Sequence, residues 1–501
     1  MAFAAIHIVR MVNSHKAESV QVERPASYKP STALPADTVK TDTTDTVQPV
    51  VFDNVPLDNM LTEIAAYYHA EVSFLNDDAR QLRFHFVWKR EDYGYLFAHI
   101  GVYIYAFNVE DGTYTQVAND VPEIRGTFFM YNNVLYYKTR NAYKTITAAY
   151  EDDAWVFTGG AITPYEPIIL INADPYTGAG DLYQPENRIS ARKQVWYNAV
   201  NGVRTYYLPV RATRVTYVEV DGVQLTSGWS YNPVTGSVQF TTAPPVYDPP
   251  RNNTVKITYE LVNIEAMASI YDCRFACVYG GTGELCVVMG GSELHPNAYY
   301  WSGNSDVKMD PTYFPIEQVQ LAGATDEPIT GFGKQQNNLI VFKERSIGKT
   351  TLGTPTINGR IYIDLPYSAI NAVIGCNYPW SIQLVENNLV FANRRGVYML
   401  LDTSAANENN VALLSRKVNG QGDATCLLWD LEHEDEDAVC SFDDGEKYYL
   451  TANERTWVWH YELSTYKDPS WFLFTNTHAV AYTCENDKEI YHINADGQLT
   501  G

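Results

Sequence analysis

From Tyr93 to its last residues the chain is written in short hydrophobic runs separated by polar turns. YLFAHIGVYIYAF, GTFFMYNNVLYYKT, ITGFGKQQNNLIVFKERSIGKTTL, SIQLVENNLVFANRRGVYMLL, AVCSFDDGEKYYLTANERTWVWHYEL and HAVAYTCENDKEIYHINADG share this grammar. Alternating apolar and polar positions over about four to eight residues mark half-buried strands. Asn132-Asn133, Asn337-Asn338, Asn387-Asn388 and Asp444-Gly445 sit between such runs. Asn and Gly tolerate positive φ, so these pairs predict tight hairpins. The first ninety residues read differently. Val50–Val55 alternates like a strand, Pro56 stands at a helix start, and Leu57, Met60, Leu61 and Ile64 recur at helical spacing. Glu71–Leu75 and Arg83–Trp88 then read as two strands about the polar stretch NDDARQ.

Units recurring at roughly 40–60 residues, each a small antiparallel sheet, are the sequence form of a radial β-propeller of about five or six blades. Within it, VTYVEVDGVQL, GWSYN, GSVQFTTAPP and NTVKITYEL predict an inserted β-sandwich, with a hairpin turn at Asp221-Gly222. The polar stretch from Val12 to Gln48 cannot bury enough apolar surface to offset chain entropy and reads as a disordered linker. The expected fold is therefore mainly β. The apolar start and linker occupy 1–48, a small β-α-β-β unit 49–92, first blades 93–186, the sandwich 187–262, and remaining blades 263–501. A seam falls near Arg90–Tyr93.

Composition narrows the function. The 38 Tyr favour strands and large contact surfaces. A formal net charge of −23 argues against coating a nucleic acid or an anionic membrane. The seven Cys are scattered, an odd count with no repeated short spacing, and read as buried free thiols rather than disulfides or a zinc site. The apolar start MAFAAIHIVRM is about ten residues, short of the ~18–20 that cross a bilayer, and fits at most the tail of a longer span.

No motif predicts catalysis or a cofactor. Gly331-x-Gly333-Lys334 lacks the spacer and the Ser or Thr of a phosphate loop and reads as a tight turn. The acidic run LEHEDEDAV (Leu431–Val439) and the pair Asp174 and Asp181 lack calcium-loop spacing and read as solvated loops. Lys343 and Arg345, in the tetrad Phe342-Lys343-Glu344-Arg345, would share one strand face as structural ion pairs or subunit contacts.

Two resemblances attach to these patterns. FDNVPLDNMLTEIAAYYHAEVSF resembles part of the C-terminal domain of FecR-type anti-sigma regulators of Bacteroidetes. That family implies an inner-membrane span, a periplasmic linker and contact with the signalling domain of a TonB-dependent receptor. The family's second helix and last strand are missing after Glu91-Asp92. YYWSGNSDVKMDPTYFP, followed by PITGFGKQQNNLIVFKERSI, resembles phage virion proteins of the tail or neck, nozzle- or hub-like propellers with an inserted sandwich. The second resemblance implies a non-enzymatic structural protein of a virion, made in the host cytoplasm. Its partners would be other virion subunits or copies of itself. The alternatives are a membrane-tethered FecR-like transducer at the inner membrane and periplasm, and a carbohydrate-binding propeller. Both resemblances stop at the seam, as a chimera of two unrelated reading frames would.

Overall fold

The computed structural model describes residues 5–12, 16–20, 71–75, 82–90, 93–108, 113–131, 134–151, 154–280, 286–303, 310–323, 327–357, 360–403, 408–420, 425–475, 479–485, 489–494 and 499–500. The chain is mainly β, in many small antiparallel sheets. Seven of them follow one another as up-and-down meanders: 82–118, 127–161, 275–321, 329–371, 383–413, 440–474 and 479–500, here sheets one to seven. The first six have four strands each and sheet seven has three among the described residues.

Their first strands are Leu82–Arg90, Thr127–Tyr131, Phe275–Tyr279, Ile329–Gln335, Gln383–Val385, Cys440–Asp443 and Ala479–Glu485. Each packs against the first strand of the next sheet, and Ala479–Glu485 packs against Leu82–Arg90. A separate hydrophobic cluster fills each gap between consecutive sheets from one to seven.

The second strands show why the sequence folds this way. Successive side chains of a strand point to opposite faces. In Asn338–Lys343, Leu339 and Val341 join the cluster shared with sheet three, while Ile340 and Phe342 join the cluster shared with sheet five. A strand covered on both faces is apolar nearly throughout, as NLIVFK and NLVFAN are. The Phe342 and Phe391 rings meet at 4.9 Å between centroids. Each such pair adds about 0.5–1.5 kcal/mol beyond its buried area.

Tyrosine serves the same gaps. Tyr299 donates its hydroxyl to the Leu365 carbonyl at 2.6 Å, Tyr378 to Leu431 at 2.6 Å and Tyr448 to Ser381 at 2.8 Å, all buried. Much of the tyrosine expected on contact surfaces is internal, where the ring fills volume and the hydroxyl satisfies a backbone acceptor.

Several expectations change. Arg90 pairs with Tyr93 and Leu82 with Ile100, so the seam at 92/93 lies between two strands of one antiparallel pair. Leu82–Arg90 is thus the first strand of sheet one, and Glu71–Leu75 pairs instead with Ala5–Val12. Lys16–Val20, expected in the linker, also pairs with Ala5–Val12, matching Ile8 to Val20 and Val12 to Lys16. The helix expected after Pro56 and the rest of the linker lie outside the described residues. The hairpin turns are Gln336-Asn337 and Glu386-Asn387, one residue before the Asn pairs, with φ of 56° at Gln336 and 54° at Glu386. Asn338 instead opens its strand and donates Nδ2 to Thr403 Oγ1 at 3.0 Å. Gly331 and Gly333 lie inside the first strand of sheet four, not in a turn. A Cβ at Gly331 would sit 2.7 Å from Ile382, and one at Gly333 2.7 Å from Leu389, so the two glycines admit sheet five.

The insertion begins earlier than expected, at Ile168 rather than 187. Ile168–Ala173 pairs in parallel with Arg192–Tyr197 inside a six-stranded sheet. That sheet and the three-stranded sheet of Thr205–Tyr207, Ser237–Phe240 and Trp229–Asn232 share one core around Tyr197, Tyr206, Val218, Val238 and Ile257. Asp221 and Gly222 have φ of 50° and 84°, as a tight Asp-Gly hairpin requires. The chain returns through the helix Ile264–Tyr271, capped by Asn263, whose Oδ1 accepts from Ala266 N at 3.0 Å.

The two-layer insert is anchored at Asn187. Asn187 Nδ2 donates to the carbonyls of Tyr165 (2.9 Å) and Thr312 (2.8 Å). Its Oδ1 accepts from Phe314 N (2.9 Å) and Ile189 N (3.3 Å). Arg188 adds a 2.6 Å hydrogen bond to Ile316 O and lies over the Tyr300 ring at 4.8 Å.

Candidate functional site

The first strands converge, so residues just ahead of them in sequence gather at one end of the convergence. Arg125 precedes Thr127 by two positions, Arg274 immediately precedes Phe275, Trp380 lies three before Gln383, and Asp437 three before Cys440. The Arg125 guanidinium carbon lies 4.6 Å from the Trp380 ring centroid, and that of Arg274 5.6 Å from it and 5.3 Å from Phe275. Phe275 meets Trp380 edge-on at 5.8 Å. Arg274 also reaches Asp437 at 2.7 Å and donates Nε to the Arg125 carbonyl at 3.4 Å. Sheets three and six, which are not neighbours in the sequence of sheets, are thereby joined across this end by Arg274 and Asp437.

Beneath this cluster lies a cavity of about 320 Å³, walled by side chains of sheets two to seven, among them Thr127, Cys277, Phe332, Gln383, Ser441 and Tyr482. A second cavity of about 320 Å³ opens beside it and shares Phe275 and Pro379. Its rim carries Arg140, Glu293, Thr330, Asn377 and Glu436. Its lining mixes apolar residues such as Phe275, Ile329 and Pro379 with these polar and charged ones.

The rim charges come in opposed pairs. Arg140 Nη1 bonds Glu293 Oε1, Arg274 is ion-paired with Asp437, and Arg394 Nη2 bonds Glu436 Oε1 at 2.7 Å. Behind Arg140, burial works to raise the Asp272 carboxyl. Hydrogen bonds from Ser292 Oγ (2.6 Å), Leu294 N and Glu293 N outweigh it and hold that carboxyl below its usual range. Gly291 makes this corner possible: its φ is +76°, and Phe275 occupies the space a Cβ would need.

The cavity's two thiols are poor nucleophiles. Burial pushes Cys277 up to about 11 and Cys440 up to about 12, and the protonated thiol does not attack. The acidic run expected to be a solvated loop is partly engaged. Glu434 accepts from Asn453 N at 2.9 Å, Glu436 and Asp437 hold arginines, and His433 stacks on Trp429 at 3.8 Å. Asp174 accepts from Tyr176 N within its loop, and Asp181, which opens the strand Asp181–Leu182, accepts from Asn172 Nδ2 of the paired strand Ile168–Ala173. Among the described residues no three His, Cys, Asp or Glu side chains are grouped as a metal site.

Lys343 and Arg345 part company. Lys343 is 2% exposed and ion-paired to Glu327 at 3.1 Å, so it offers no surface to a subunit. Glu327 also accepts from Arg345 N and Ser346 Oγ. Burial works to raise this carboxyl, and those hydrogen bonds and Lys343 hold it below its usual range. The strand ends at Lys343, so Arg345 leaves the shared face and its side chain is exposed.

The arginine–tryptophan cluster carries no spacing motif, because its members come from four separate sheet entries. The available signal was positional: each stands within three residues of a strand start.

No protein-family model and no curated protein matches the sequence. Among solved structures, the chain is similar to PorZ, a surface component of the type-IX secretion system of Porphyromonas gingivalis. The identity is 10% and the TM-score 0.27, over 74% of this chain and 36% of that one. It is also similar to the extracellular domain of the one-component system BT4673 from B. thetaiotaomicron. There the identity is 12% and the TM-score 0.24, over 82% of this chain and 44% of that one. The chain thus spans less than half the length of either structure.

Proposed function

We propose that the seven sheets are the blades of a β-propeller, that the insert is a β-sandwich projecting from it, and that the chain is a non-enzymatic structural subunit of a phage particle. The observation that supports this reading is the cyclic order of the first strands, which returns from Ala479–Glu485 to Leu82–Arg90. A ring of sheets leaves few open edges and makes a rigid base. The insert has its own core and is held by the Asn187 anchor, an arrangement suited to presenting a module at a fixed angle. The place in a tail or neck rests on the sequence resemblance of Tyr299–Pro315 and the stretch that follows.

Assembly would work by shape and repeated contacts rather than chemistry. Mass measurement by light scattering, with negative-stain imaging, tests it. Ring-like or particle-bound oligomers are expected. A monomer at high concentration that associates with no particle would contradict the reading.

A further inference from the structure

We propose that the insert of one chain docks on the acidic end of sheets five and six of a second copy, so that chains join head to tail. The proposal rests on the assembly reading above and names the surfaces that carry it. Charge is divided unevenly along the chain. Ile168–Glu260 holds eight Lys or Arg and seven Asp or Glu, a net +1, which leaves −24 on the rest. Arg204 and Arg211 of the insert are exposed and form no ion pair among the described residues. They border an exposed apolar patch of Tyr176, Tyr207, Val210 and Val234. Its pieces are contiguous. Tyr207 N donates to Pro175 O and Leu208 N to Gly236 O, both at 2.8 Å, and a Cβ on Gly236 would lie 3.4 Å from the Arg211 side chain. The nearby Asp174 carboxylate is taken up by Tyr176 N at 2.6 Å. Exposed tyrosine and valine bordered by arginine suit a protein contact.

The complement lies at the turns of sheets five and six. Tyr461 donates its hydroxyl to Asp443 at 2.7 Å and its N to the Glu446 carbonyl at 3.2 Å, which brings Glu462 beside the turn Asp444–Glu446. Burial pushes the Asp443 carboxyl up, and the neighbouring charges of Asp444 and Glu386 add to it. Lys447 offsets part of this charge, 3.5 Å from Asp444 and 3.3 Å from Glu446. Leu463, 73% exposed, follows Glu462 and gives this end an apolar contact of its own. Topology separates the two surfaces. In a four-stranded meander the turns after the first and third strands lie at one end, and the fourth strand leaves at the other. The acidic turns follow the first strands of sheets five and six and the third strand of sheet six. The insert leaves after the fourth strand of sheet two and returns before the first strand of sheet three, at the opposite end. Unlike surfaces at opposite ends join one copy to the next, in a ring or a filament as the rotation dictates.

The test measures the mass of the full chain by light scattering across a concentration series. The chain should self-associate, and more weakly as salt rises from roughly 0.05 to 0.5 M. Two double variants reverse one surface each: Arg204→Glu with Arg211→Glu, and Glu446→Lys with Glu462→Lys. All four side chains are exposed, so melting temperatures should not change. Each variant alone should self-associate about tenfold more weakly or worse, because like charges then face each other. Mixed in equal amounts, the two should recover association, since each supplies the charge the other lacks. An oligomer that either double variant leaves unchanged would overturn this proposal and leave the assembly reading standing. So would a mixture that fails to recover, or a chain that joins a particle and never a second copy. A chain that stays monomeric and joins no particle would overturn both.

Discussion

Lys138, next to last in the second strand of sheet two, has its side chain fully buried. Its Nζ donates to the carbonyls of Thr139, Tyr271 (3.1 Å) and Cys273, and so ties sheet two to the entry of sheet three. Burial pushes this amine down to about 7 from 10.5, against the opposing pull of Cys273 and Asp272. Between those values the unfolded chain carries a proton that the folded chain has released, so stability gains a rising contribution with pH. Above pH 9 the buried thiols, raised by burial to about 12 at Cys273, contribute a fall. The window for the lysine is therefore pH 7 to about 9. Lys138→Met should remove that rise in urea-unfolding free energy and cost about 1–3 kcal/mol for the carbonyls left unpaired. An unchanged pH profile would show that the amine stays charged in the fold. The residue pattern hinted at none of this for Lys138, the penultimate residue of a VLYYKT strand; Lys343, which closes the NLIVFK strand, was expected in a structural ion pair or a subunit contact, and an ion pair with Glu327 is what forms.

At the scale of elements, the second strands were readable because burial on two faces leaves a nearly unbroken apolar run. The Asp221-Gly222 hairpin was readable because its two positive φ angles have a residue signature. Two of the three Asn-Asn hairpins, at Asn337-Asn338 and Asn387-Asn388, were displaced by one residue because Gln336 and Glu386 adopt positive φ without being turn formers, while Asn132-Asn133 lies outside the described residues. The parallel pairing of Ile168–Ala173 with Arg192–Tyr197 has no local signal, so the insert's start was missed. The Asn187 anchor is a consequence of this long-range geometry. Asn187 satisfies four backbone groups from the two sides of the junction, and Asn187→Ala would leave them unpaired at about 1–3 kcal/mol for each that stays dry. Calorimetry on that variant should resolve a separate transition for the insert, whose core is its own. A single transition at the original temperature would mean that the anchor is dispensable.

For the whole molecule, contacts between first strands matter most and are the least visible in sequence. Thr127–Tyr131 meets Phe275–Tyr279 across the entire insert, and Ala479–Glu485 meets Leu82–Arg90 across almost the whole chain. Closing such distances carries no periodic signature, which is why about five or six blades were expected and seven successive sheets are found. Leu82–Arg90 was assigned to a different unit because a local resemblance outweighed its plain strand alternation, although it pairs along its length with Tyr93–Ile100. The seam is therefore a join in sequence character within one sheet. This claim is tested most directly by thermal unfolding of two shortened chains, one beginning at Gln81 and one at Tyr93. The chain from Gln81 keeps Leu82–Arg90, the one strand that meets both Ala479–Glu485 and Tyr93–Ile100, and should melt cooperatively. The chain from Tyr93 loses the first strand of sheet one and should melt lower and less cooperatively. Identical melting of the two would contradict the account.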